Sequence, residues 1–167
     1  MAPPPFNRDF DDMLGALLGA KVDFVIVGAW ALAAHGEPRA TGDIDVLVRP
    51  SRLNAKRVMK ALGDFGAPTD AHGATQQDFE RPGLVYQIGL PPRRIDLLTS
   101  ITGVGYDEAL VDAVIAKLGS HTVRFIGRAA LITNKLATGR TKDRADVELL
   151  NAATKPSPKP GRGKRKK

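Results

Sequence analysis

Two short apolar runs, separated by a helix-forming segment, constrain the fold of this chain most strongly. Residues 22–27 and 43–48 are rich in Val and Ile, as buried strands are. Residues 29–35 have the composition of a helix and end at a turn that contains glycine and proline. A strand, a helix and a second strand in close succession indicate a sheet with helices packed on it.

The rest of the chain continues the alternation of helices and strands. We expect one helix capped by Asn7 and another that opens at Ser51, where apolar residues recur with helical spacing. The remaining predicted elements are a hairpin of strands at 84–88 and 93–98, a strand at 122–126, helices at 106–118, 128–138 and 142–153, and a loop or irregular excursion at 66–83. Together they predict an α/β or α+β fold, with a mixed sheet flanked by helices and two helices at the C-terminal end.

The positive charge of the chain is concentrated at one end. There are 25 Lys and Arg against 18 Asp and Glu, a net charge of +7, and the excess lies in residues 155–167, which contain no acid. Because Pro, Gly, Ser and Lys dominate this segment, it cannot bury apolar surface. We therefore predict a folded domain at 1–154 and a disordered basic tail at 155–167. The tail either attracts a polyanion or serves only as a solubilising terminus.

Several protein classes are disfavoured by composition. The chain contains no cysteine, so it has neither a disulfide framework nor a thiolate metal site. Its first residues lack the layout of a secretory signal, and no apolar run reaches the ~20 residues that cross a bilayer. We expect a soluble, cytoplasmic protein with no membrane partner.

Two aspartates in the second apolar run suggest chemistry. Asp43 and Asp45 are two residues apart in a predicted strand, so their side chains point to the same side. Neighbouring carboxylates repel each other unless a positive charge lies between them, and Mg²⁺ prefers carboxylate and phosphate oxygens. The alternative is a pair of solvated acids at the edge of a strand.

Two further features favour the metal interpretation. The first predicted strand runs through Gly28 and Ala29 into a helix, and small residues there let the backbone approach a phosphate. Asp96 lies in an apolar run on a strand that we expect to be a neighbour, where a carboxylate is costly unless it is paired or bound to metal. Three carboxylates and a phosphate-approach turn predict a two-metal site for phosphoryl transfer.

The sequence resembles the DNA polymerase β-like nucleotidyltransferase superfamily. The resemblance rests on Gly28-Ala29, on Asp43-Ile44-Asp45 after 13 residues, and on Asp96. It is closer to small minimal nucleotidyltransferases and abortive-infection toxins, in which three segments recur together. These are HG-x-PRAT-x-DIDV, RIDLLT-x-I-x-GV and NK-x-A-x-GR-x-KD-x-x-D, found here at 35–46, 94–104 and 134–146.

The resemblance implies a catalytic and metal-binding set of Asp43, Asp45 and Asp96. Two Mg²⁺ ions would bind a nucleoside triphosphate such as ATP, and a nucleoside monophosphate would pass to an acceptor hydroxyl of RNA, protein or a small molecule. Asp96 would orient or deprotonate that hydroxyl. A cognate antitoxin is a further possible partner.

Other residues are candidates for nucleotide binding, each with a structural alternative. Gly28 and Ala29 would form the phosphate turn. Trp30 would stack on a base or pack in the core. Arg39, beside Thr41, would meet a phosphate as a planar fork or would neutralise the acidic pair.

The C-terminal helices supply the last candidates. Lys135 is the predicted phosphate contact, with Arg140 and Lys142 on the basic side of the cleft. Arg144 and Asp146 are predicted to lie at a solvated helix start. His35 is predicted to have a structural or capping role at a helix end rather than a catalytic one.

Two other functions compete with the enzyme. Ala29 stands where catalytic members of the superfamily usually have Gly or Ser, which favours a catalytically silent nucleotide-binding or regulatory module. Alternatively, the tail dominates and the chain is an RNA-binding protein with structural acids.

Overall fold

The computed structural model describes residues 6–37 and 42–154, with side chains up to residue 152. The helices are α1 (Arg8–Gly19), α2 (Gly28–Ala34), α3 (Arg52–Phe65), α4 (Thr69–His72), α5 (Tyr106–Leu110), α6 (Arg128–Thr138) and α7 (Thr141–Thr154), with a 3₁₀ turn at Gln76–Glu80. The strands are β1 (Phe24–Val27), β2 (Ile44–Val48), β3 (Val85–Ile88), β4 (Ile95–Leu98), β5 (Val114–Leu118) and β6 (His121–Phe125). The predicted basic tail at 155–167 lies outside the described residues, as do Arg39 and Thr41.

The six strands form one mixed sheet in the order β3-β4-β2-β1-β6-β5. Strand β2 is antiparallel to β1 and parallel to β4, while β3–β4 and β5–β6 are antiparallel hairpins. Strand β1 also pairs in parallel with β6. The predicted mixed α/β sheet with two C-terminal helices is therefore confirmed.

The central strands form the core of the molecule. All four residues of β1 are buried, and β2 is buried at every position except Asp45, which is half-buried. Strands covered on both faces read as continuous apolar runs, which explains why the sequence predicted both of them. Helix α1 packs on α3, and α6 packs on α7.

Local signals define the helix ends where the sequence placed them. The Asn7 side chain accepts hydrogen bonds from the amides of Asp9 and Phe10 at the start of α1. The Ser51 hydroxyl accepts one from the amide of Asn54 at the start of α3. Gly139, with φ +71°, ends α6 in the left-handed conformation that favours glycine.

One predicted element is wrong. The sequence predicted a helix over 106–118, but the helix ends at Leu110 and residues 114–118 form strand β5. Asp112 has φ +54°, which a helix does not accommodate. Strand β5 then pairs along its whole length with β6. Its residues suit either structure locally, and pairing with a neighbouring strand decides in favour of the sheet.

Within residues 6–37 and 42–154, no helix is both long enough and apolar enough to traverse a bilayer.

Candidate active site

Three carboxylates lie together at the amino ends of the neighbouring interior strands β2 and β4. Asp45 and Asp96 are direct partners in the parallel pair formed by β2 and β4, so both side chains leave the same face. Asp43 precedes Asp45 by two residues and so lies on that side as well. The structure therefore brings together the three aspartates that the sequence singled out.

The turn at Gly28 lies directly against this cluster. Val27, the last residue of β1, is the antiparallel partner of Asp45, and α2 begins at the next residue. Gly28 has φ +70°, and a Cβ atom there would collide with the Asp45 carboxylate. Glycine is needed here both for the backbone conformation and for the close approach.

Arg94 supplies the positive charge that the carboxylates require. Its Nε and Nη2 atoms donate to the two carboxylate oxygens of Asp96 at 2.7 and 3.2 Å. Its Nη2 also lies 3.2 Å from an Asp43 oxygen, and its backbone amide donates to Asp43 at 3.0 Å. One guanidinium thus bridges two of the three acids.

Arg94 lies in the RIDLLT segment that the sequence singled out, but the sequence prediction assigned it no role. The signal was present, because Arg94 lies two residues before Asp96 and successive side chains alternate along a strand. A cation at that spacing faces the same side as the acid.

The protonation of Asp45 reflects its surroundings. Burial, the charge of Asp96, a hydrogen bond to Asp96 and the charge of Asp43 together raise the pKa of Asp45 from 3.8 to about 7. Arg94 opposes this shift only weakly. The Asp45 carboxyl therefore keeps its proton near neutral pH, because burial disfavours its charge and two neighbouring acids would repel it. A divalent cation would neutralise this repulsion and lower the pKa of Asp45.

The carboxylate oxygens of Asp43, Asp45 and Asp96 suit a hard cation such as Mg²⁺, but they are not arranged as a complete metal site. Among the described residues, no group of three His, Cys, Asp or Glu side chains is placed to hold a metal ion. The guanidinium of Arg94 contacts both Asp43 and Asp96. The carboxylate oxygens themselves are the ligands that Mg²⁺ prefers.

The residues that follow the turn differ in their placement. Ala29 is partly exposed in the first turn of α2. Trp30 packs against the hydrophobic core, with its ring 5.3 Å from Phe6 in an edge-to-face contact. The indole Nε1 is buried and has no hydrogen-bond partner among the described residues. The structure thus shows the packing alternative for Trp30, and stacking on a base stays a prediction.

Lys135 has different surroundings from those the sequence predicted. It is buried, and its Nζ atom lies 3.3 Å from Asp143 and 2.9 Å from Asp146. The neighbouring Asn134 donates to the carbonyl of Thr102, which follows the carboxyl end of β4, whereas Asp96 lies near the amino end. Lys135 therefore joins α6 to α7, and its contact with a phosphate stays a prediction.

The predicted solvated helix start also needs correction. Arg144 is exposed as expected, but Asp146 is completely buried and Asp143 nearly so. Burial alone raises the pKa of Asp143, yet contacts with Thr138, Arg140 and Lys135 outweigh it and leave this pKa below its usual value. The acids of this motif pair with Lys135 inside the fold.

His35 has the structural role that the sequence predicted. It caps the C-terminal end of α2, and its Nε2 donates to the carbonyl of Ile126 at 2.7 Å. This bond ties the end of α2 to the chain after β6.

The chain has the nucleotidyltransferase fold, as comparison with solved structures shows. It is similar to a protein from Thermotoga maritima assigned to the nucleotidyltransferases, with 13% identity, a TM-score of 0.55, and 87% of this chain and 92% of that chain covered. The antibiotic-resistance factor ANT(2'')-Ia in solution shares 15% identity, with a TM-score of 0.53 and coverage of 87% and 82%. The lincosamide antibiotic adenylyltransferase LnuA, bound to lincomycin, shares 12% identity, with a TM-score of 0.50 and coverage of 90% and 100%. The sequence matches no family model and no curated protein.

Proposed function

We propose that this protein is a Mg²⁺-dependent nucleotidyltransferase that transfers a nucleoside monophosphate from a nucleoside triphosphate to an acceptor hydroxyl. The observation that carries the proposal is the convergence of Asp43, Asp45 and Asp96 beside the Gly28 turn. Two of the similar proteins support it, since LnuA is an adenylyltransferase and ANT(2'')-Ia has been solved in complex with adenylyl-2''-tobramycin.

Each residue has a distinct task in this proposal. Asp43 and Asp45 would hold the Mg²⁺ that binds the triphosphate, and all three aspartates would hold the second ion. Bound Mg²⁺ would neutralise phosphate charge and lower the pKa of the attacking hydroxyl. Asp96 would orient that hydroxyl for in-line attack, and the absence of a side chain at Gly28 lets the phosphate turn lie against the Asp45 carboxylate.

The proposed acceptor is a hydroxyl of RNA, of a protein or of a small molecule. LnuA is an adenylyltransferase of an antibiotic, so small-molecule acceptors belong in the test beside tRNA and cell protein. A toxin role predicts that induced expression arrests growth and that Asp96→Asn abolishes the arrest.

Transfer of label tests the proposal directly. The protein is incubated with each α-labelled nucleoside triphosphate, Mg²⁺, and separately tRNA, cell protein and a panel of aminoglycosides and lincosamides. Label in one acceptor class and release of pyrophosphate are expected, and both should disappear with Asp45→Asn. Ala29→Ser serves as a gain-of-function comparison, because it restores a hydroxyl in the turn.

The outcomes separate the proposal from its rival. If calorimetry shows that a triphosphate binds but no acceptor supports release of pyrophosphate, the result would favour a catalytically silent nucleotide-binding module. Ala29 is the residue that suggests this alternative. No binding of any triphosphate at millimolar concentration would contradict both.

A further inference from the structure

We propose that Arg94 is an internal counter-ion of the site, which occupies the cation position between Asp43 and Asp96 and transfers to the triphosphate when the metal enters. This inference rests on the proposed function and assigns a positioning role to a residue outside the acidic triad.

Arg94 forms ion pairs with both Asp96 and Asp43. Its guanidinium forms a two-pronged contact with Asp96 and reaches Asp43 with the same Nη2 atom. The Asp96 side chain is only 9% exposed, so its charge is poorly solvated and needs a partner. Arg94 and Asp43 each keep 25% of their side-chain surface exposed, so the bridge is open to solvent on one side.

Arginine suits this position for a chemical reason. Its guanidinium stays protonated at all ordinary pH values, so the bridge cannot dissolve by loss of a proton. A competing cation at the carboxylates or a competing anion at the guanidinium would break it. A metal–triphosphate complex brings both at once.

The guanidinium has a new partner available after displacement. The planar fork that matches a carboxylate also matches a phosphate, with two parallel N–H···O bonds. Arg94 contacts Asp96, one of the acids proposed to hold the metal–triphosphate complex. It can therefore exchange a carboxylate for a phosphate by rotating its side chain.

This exchange predicts opposite effects on two ligands when Arg94 is removed. A metal ion alone should bind more tightly, since its competitor is gone. A metal–triphosphate complex should bind less tightly than it binds to wild type, because the lost phosphate contact outweighs that gain. A merely structural arginine would weaken both or neither.

The experiment is calorimetry on three proteins without any turnover. Wild type, Arg94→Gln and Arg94→Lys are titrated with Mn²⁺ alone, and then with each non-hydrolysable α,β-imido nucleoside triphosphate in saturating Mg²⁺. Arg93→Gln is the matched control, because it removes the same charge from the adjacent, exposed residue. We expect Arg94→Gln to bind Mn²⁺ about tenfold more tightly than wild type and the analogue about tenfold less tightly, with Arg93→Gln near wild type.

Other results decide against the inference. Mn²⁺ affinity that is unchanged or weaker in Arg94→Gln would overturn it. If Arg94→Gln does not fold, Arg94→Lys replaces it, since an ammonium lacks the planar fork that pairs with both carboxylate oxygens of Asp96. Mn²⁺ should still bind more tightly to Arg94→Lys than to wild type, and equal affinity would overturn the inference.

Failure of the proposed function gives a different pattern. If wild type binds no analogue while Arg94→Gln gains affinity for Mn²⁺, the counter-ion role stands and the transfer function fails. If wild type transfers nucleotide but Arg94→Gln shows no gain for Mn²⁺, the function stands and the counter-ion role fails.

Discussion

Replacing Asp45 with Asn should stabilise the metal-free protein at neutral and alkaline pH. The carboxyl lies half-buried against Gly28 and beside Asp96, and its pKa rises from 3.8 to about 7. Because the folded-state pKa is the higher one, folding favours the protonated carboxyl. The stability linked to that proton is complete below pH 3.8 and is lost as the pH rises through about 7.

The size of the effect follows from the two pKa values. Their difference corresponds to about 4 kcal/mol at pH 8, and the part of the carboxyl that solvent reaches reduces this to about 2–4 kcal/mol. Asn has the same size, carries no charge and still donates to Asp96, so it removes the penalty without creating a cavity. In a domain of this length the melting temperature should rise by roughly 5–15 °C at pH 8.

Urea unfolding in EDTA, from pH 4 to pH 8, measures the difference between Asp45→Asn and wild type. The difference should be small at pH 4 and reach its full size above pH 7. Asp12→Asn, at an exposed position on α1, is the matched control and should show no such trend. A stabilisation by Asp45→Asn that is equal at all pH values, or a loss of stability at pH 8, would refute the argument from charge burial.

Three other perturbations test further parts of the structure. Gly28→Ala should lower stability by about 1–3 kcal/mol and abolish triphosphate binding, because the added Cβ would collide with the Asp45 carboxylate. The control Gly63→Ala, in open space on α3, should stabilise the protein by about 0.5–1 kcal/mol. Equal melting temperatures for the two variants would contradict the close approach of Gly28 to Asp45. Lys135→Met should lower stability by about 1–3 kcal/mol in urea unfolding because it removes an ammonium group that pairs with two buried carboxylates, Asp143 and Asp146. Unchanged stability with weaker triphosphate binding would instead favour the predicted phosphate contact. Deleting residues 155–167 should leave the melting temperature unchanged and weaken RNA binding mainly at low salt, and a much earlier melting transition would show that the tail docks on the domain.

Local sequence was sufficient for the elements whose signals are strong and self-contained. Apolar runs identified β1 and β2, and side-chain caps placed the starts of α1 and α3. The prediction of a helix at 114–118 was wrong because the local signal there is ambiguous. The residues Val, Ile, Ala, Lys and Leu suit either a helix or a strand. Only the partner strand β6 decides between them, and it lies outside any local window.

The acidic cluster shows the same division. The period of two along a strand places Asp43 and Asp45 on one side from the sequence alone. That Asp96 joins them depends on β4 lying beside β2 in register, a fact of sheet order that no local pattern contains. The partners of the basic residues also depend on the assembled fold, which pairs Arg94 with Asp43 and Asp96. Charge contacts act through space rather than along the chain, so the sequence determined which residues could carry charge, and the tertiary structure decided which charges meet.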